Sequence, residues 1–129
     1  MKKLLLAALF ALPVLFAAAQ AKPEWKEMKD FHTVMSQTFH PAEEGKLEPI
    51  KNRIGEMIDL AKAWQKSTPP AEFNKPEIKE NLNKLMKGAK ALSKQIKAGA
   101  DDAAITKQLT VLHDVYHDIV GLCKDEGKH

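Results

Sequence analysis

Cysteine is nearly absent: Cys123 stands alone, so the chain cannot close an internal disulfide and must be held by packing or by a bound group. A lone thiol also excludes the Cys-x-x-Cys-His segment through which haem is attached covalently. Strand-like alternation of apolar and polar residues is missing and β-branched clusters are few, which argues against a sheet. The sequence shows no phosphate-binding glycine loop, no nucleophile with its base and orienting group, and no Glu-x-x-His pair of the di-iron kind. Enzyme is therefore the least supported class. Charge of one sign is lacking too. The formal net charge is only +3, Lys2 and Lys3 contribute to it, and the other lysines read as interspersed with Glu and Asp, which leaves no nucleic-acid footprint.

What is present begins with a leader. Met1-Lys2-Lys3 is a basic n-region, Leu4 to Ala19 is an apolar h-region, and Ala19-Gln20-Ala21 fits the A-x-A cleavage pattern of a secretory signal peptide. The apolar run is short for a span of ~30 Å and contains Pro13, so cleavage is expected rather than anchoring. Removal of residues 1–21 leaves 108 residues, 22–129, enough for one small domain. That domain is expected in the periplasm, exported by the Sec route, as a monomer or weak dimer with no membrane association.

The remaining apolar residues fall into four sets with helical steps of three and four. The first is Trp25, Met28, His32, Met35 and Phe39, with Pro41 expected to end it because proline disfavours helix at His40. The second is Leu47, Ile50, Ile54, Met57, Ala61 and Trp64, stopped by Ser67-Thr68-Pro69-Pro70. Glu43 and Glu44 are expected near its start. The third is Ile78, Leu82, Leu85, Ala89, Leu92 and Ile96, opened by Asn74-Lys75-Pro76 and closed near Gly99. The fourth, after Asp101 or Asp102 as N-cap, is Ile105, Leu109, Leu112, Tyr116, Ile119 and Cys123. Short loops between four amphipathic helices predict an all-α, antiparallel up-down-up-down four-helix bundle.

In that topology the first and fourth helices are neighbours, and residues lie level when their numbers sum to about 148. His32 then falls beside Tyr116 and His117, and Met35 beside His113, within about one turn, or ~5 Å. His113 and His117, four residues apart, share one side of their helix. His32 reads as an imidazole interrupting an apolar seam, where it needs a partner. Antiparallel pairing brings Glu56 level with His32, as ligand or as the group orienting its ring. The candidate metal ligands are thus His32, His113, His117, Met35 and Glu56. His40 reads first as a cation at a helix C-terminus, His129 as a terminal residue, and Cys123 as a buried thiol or a dimer disulfide.

Lys66-Ser67-Thr68-Pro69-Pro70 between the second and third helices, a lysine-rich third helix with its Gly99 turn, and Asp114-Val115-Tyr116-His117 carry a resemblance to the cytochrome b562 family and, more distantly, to cytochrome c′. The resemblance covers about Trp25 to His117. It implies an exported bundle holding haem b non-covalently for electron transfer, with His117 as one axial ligand and a helix-one methionine as the other. Met28 is the nearest match, with Met35 and His32 open. The aromatic residues that would sandwich a porphyrin are replaced by residues such as Asn81 and Leu85, and the extra imidazoles His32 and His113 favour a bare ion. The residues alone therefore support a second reading, copper or zinc bound by His32, His113 and His117 for storage, transport or sensing, with a periplasmic redox or metal-handling partner. A third is a cofactor-free binding or chaperone-like bundle.

Overall fold

The computed structural model describes residues 23–124, so the expected leader and His129 lie outside the described residues. Among the described residues four helices follow one another: α1 (Lys26–Glu43), α2 (Glu48–Lys66), α3 (Pro76–Lys97) and α4 (Asp102–Lys124), with a 3-10 turn at Ala71–Phe73 between α2 and α3. The second and fourth apolar sets are buried throughout, from Leu47 to Trp64 and from Ile105 to Cys123. In α3 the expected residues from Ile78 to Leu92 are buried, Ile96 is half-buried, and Met86 and Ser93 join the interior.

Helix α1 departs from the expected phase. Its buried face is Phe31, Val34, Met35, Thr38, Phe39 and Ala42, while His32 is exposed and Met28 half-buried. Met35 and Phe39 belong to both the expected stripe and the buried one, and Phe31, Val34 and Thr38 on the adjoining side of the helix, rather than Met28 and His32, complete it. His32 therefore does not interrupt the core seam. Thr38 occupies the interior instead, its hydroxyl donating to the Val34 carbonyl at 2.8 Å.

Pro41 does not end α1, which continues to Glu43. Proline so near the helix end removes one donor, and the turn beyond it supplies compensating bonds. The Lys46 N–H donates to the Pro41 carbonyl (2.9 Å) and the Gly45 N–H to the Ala42 carbonyl (3.0 Å), a Schellman closure that needs Gly45 at φ +85°. Glu43 and Glu44 accordingly close α1 rather than open α2. The same closure ends α3, with Ala100 N–H on the Gln95 carbonyl (2.9 Å) and Gly99 at φ +75°. Asp101 caps α4, its Oδ1 accepting the Ala104 N–H at 2.8 Å.

Cross-helix bonds set the direction of each element. Trp25 Nε1 before α1 donates to Ser67 Oγ just past α2 (2.8 Å), Gln65 near the end of α2 bonds Asn83 near the start of α3, and Lys75 Nζ before α3 donates to the Leu122 carbonyl near the end of α4 (3.2 Å). Successive helices thus alternate in direction. Neighbours in the ring are α1–α2, α2–α3, α3–α4 and α4–α1, the last being the most open seam, so α1 and α3 occupy opposite corners. At the same end as these bonds, the 3-10 turn carries Phe73 inward to stack on Trp25 (centroids 6.2 Å, 21°), a feature not visible in the proline-rich link.

Candidate functional site

The open α1–α4 seam holds a groove of about 230 Å³ lined by His32, Met35, Ser36, Phe39, His40, His113, Tyr116 and His117. Each side chain arrives by helix periodicity. His32, Ser36 and His40 share one side of α1 at spacings of four, and His113 and His117 do so on α4. The register expected from the sequence holds: the His32 ring lies on Tyr116 (5.5 Å, 11°).

The closest polar contact in the groove is between two imidazoles. His113 Nε2 and His117 Nε2 stand 3.1 Å apart, one donating to the other according to tautomer. Phe39 stacks flat on His113 (3.9 Å, 13°), and Tyr116 meets His117 edge-on (5.4 Å, 73°), so both rings are held by aromatic neighbours. Asp114 Oδ1 is 3.6 Å from His113 Nδ1, too long for a hydrogen bond. Two nitrogens 3.1 Å apart, each 2.0–2.1 Å from one ion, would subtend about 100°, between square-planar and tetrahedral angles.

The other expected residues divide. Met35 is buried to 1% exposure and lines the groove. Met28 does not line it. Glu56 does not face His32: its carboxylate is bidentate on Arg53 (2.8 and 3.0 Å), an exposed pairing whose hydrogen bonds hold the Glu56 carboxyl below its ordinary range. His40 closes the last turn of α1, with Nδ1 3.5 Å from Glu43 Oε1, and also lines the groove, a placement that the reading of it as a helix-terminus cation missed. Its spacing of eight from His32, two helical turns, was the available signal. Cys123 is buried, and desolvation raises its thiol above the usual range, against a smaller opposing effect of Lys75.

Among the described residues no set of three or more histidine, cysteine or carboxylate side chains is already assembled around a point. The groove offers one converged pair with further donors at its rim. Fold and site together define an all-α four-helix bundle with a histidine-lined groove between its first and last helices. No protein-family model, curated protein or solved structure matches the chain.

Proposed function

We propose that this bundle binds a transition-metal ion, copper or zinc, in the α1–α4 groove, and serves in metal storage, transport or sensing rather than catalysis. The observation that supports it is the His113–His117 pair, whose Nε2 atoms sit at chelating distance on one helix face. His32 and His40 at the rim and the Met35 thioether are the donors from which the coordination shell is completed; a thioether adds preference for Cu(I). Haem b is the less favoured occupant. At about 230 Å³ the groove falls below the 300–1,000 Å³ typical of drug-sized ligand pockets, Met28 lies outside it, and Leu85 on α3 is in the closed core.

The test is purification without added metal, followed by an absorption spectrum, elemental analysis and titration with Cu(I), Cu(II) and Zn(II). The expected result is no Soret band, stoichiometric binding of one of these ions, and at least a tenfold affinity loss in both His113→Ala and His117→Ala. A Soret band with stoichiometric iron replaces this reading with the cytochrome-like one. Unchanged affinity in both variants places the ion elsewhere and overturns this site, and refusal of every ion leaves the cofactor-free bundle.

A further inference from the structure

Lysines dominate one stretch of the surface in a way that the near-balanced total charge conceals. From Asn81 to Ala100 there is no acidic residue, and Lys84, Lys87, Lys90, Lys94 and Lys97 follow at steps of three and four. All five are exposed. Their helical angles fall within about 140° of one another on α3, on the side turned toward α2, and the row runs about 20 Å. Several cations elsewhere are paired, as in Lys26–Asp30, Lys29–Glu24, Lys46–Glu44, Lys51–Asp102 and Arg53–Glu56. No ion pair joins any of the five α3 lysines among the described residues.

The surroundings reinforce the field. Gln65 bonds Asn83, which sets the α2–α3 register and places exposed Lys62 of α2 level with Lys87. The acids of α2 in this range are Glu56, held by Arg53, and Asp59. Like charges three and four apart on a helix are mildly destabilising, although Lys94 and Lys97 gain from the C-terminal dipole. The row is therefore a concentrated cationic stripe rather than a network of stabilising pairs.

We propose that the α3 face is a docking surface for an anionic lipid bilayer, on which the protein adsorbs without insertion. Charge complementarity selects an anionic occupant, and the composition of the face selects lipid. An acidic protein partner would call for an apolar centre within the charged rim, yet the exposed large hydrophobic side chain among the described residues is Val111, at 44% on α4. Lysine ammonium groups are point charges suited to a diffuse field of headgroups, whereas nucleic acid and phosphate clamps favour arginine forks and stacked aromatics, which the stripe lacks. The ring order adds a geometric consequence. The α2–α3 side is opposite the α1–α4 seam, so a bundle lying on its lysines turns the histidine groove away from the surface, open to solvent.

This departs from the expectation of no membrane association, and it needs no spanning segment; no helix among the described residues is long and apolar enough to cross a bilayer. It also stands apart from the metal reading. The test is co-sedimentation of the full chain, as purified and with chelator present, on vesicles of phosphatidylcholine alone or with one-third phosphatidylglycerol, at low and high salt. A lysine near an anionic surface contributes about fivefold to partitioning, so the Lys87→Gln/Lys90→Gln/Lys94→Gln variant is expected to bind phosphatidylglycerol vesicles about a hundredfold more weakly. Circular dichroism of the variant checks that the bundle is intact. Wild-type binding is expected to fall steeply with salt and to be weak on phosphatidylcholine. Equal binding to both vesicle types, an unaffected triple variant, or capture by soluble polyglutamate without vesicle binding would each overturn the proposal.

Discussion

Residues in the middle and the last turn of α4 show how position decides chemistry. His113 and His117 lie over an open seam, where their nitrogens face each other and remain accessible. Cys123, less than two turns further along, is enclosed. Burial penalises the thiolate, so the native thiol titrates above the ordinary thiol range while the unfolded one titrates within it. The sign follows from proton counting. As pH climbs through the ordinary range, about 8 to 9, the unfolded chain loses the proton first and is favoured, so stability present below that range declines above it. Tyr116, whose hydroxyl burial likewise raises, extends the decline to higher pH. The measurement is the denaturation midpoint between pH 7 and 10. Cys123→Ala is expected to cost stability at pH 7 through lost packing yet to show a shallower fall from pH 7 to 9 than the wild type; an identical slope would mean the thiol is not the titrating group.

At the scale of elements, two glycines inside helices make opposite predictions for one substitution. A Cβ at Gly55, exposed in α2, meets nothing within 4 Å, so Gly55→Ala gains helix propensity and is expected to stabilise by about 0.5–1 kcal/mol. At Gly88 the same Cβ would lie 2.6 Å from Leu112 Cδ2, a fully buried side chain of α4, and Gln108 Nε2 already bonds the Gly88 carbonyl at 3.2 Å. Crowding there costs roughly 1–3 kcal/mol and outweighs the propensity gain, so Gly88→Ala is expected to destabilise by about 1 kcal/mol net. Paired urea titrations decide it, and stabilisation by both changes would show that α3 and α4 do not approach so closely. Which helices exist was readable because α2, α3 and α4 keep one apolar stripe each. The phase of α1 was not, because Met35 and Phe39 fit two adjoining stripes, and it is Phe31 rather than His32 that points inward. The end of α1 was misjudged because the penalty at Pro41 is local, whereas the closure that offsets it depends on Gly45 four residues later. The groove was legible for His32, His113, His117 and Met35, since level pairing across antiparallel helices needs only residue numbers. Glu56 was level too, but its partner Arg53 is a competition that register alone does not reveal.

Across the whole molecule, the loosest seam is also where the ion donors gather, so a bound ion can do something to the bundle that a local chelate cannot. His113 and His117 both belong to α4, and an ion held by them alone joins one turn of helix to itself. A ligand from α1 would tie the first helix to the last across the seam where they pack least closely. His32 is the better placed of the two α1 imidazoles, stacked on Tyr116, whose ring also meets His117, whereas His40 is engaged with Glu43. Binding to the folded state stabilises it by RT ln(1 + [L]/Kd), about 4 kcal/mol at a thousandfold excess over Kd. If loss of His32 weakens affinity ten- to a hundredfold at fixed ion concentration, about 1.4–2.7 kcal/mol of that stabilisation disappears. Denaturant midpoints with and without zinc, for wild type, His32→Ala and His40→Ala, measure it directly. The expected order of zinc-dependent stabilisation is wild type, then His40→Ala, then His32→Ala, with the three apoproteins close together because both imidazoles are exposed. Full zinc-dependent stabilisation in His32→Ala would place the ion on α4 alone and end the idea of a clamp between α1 and α4.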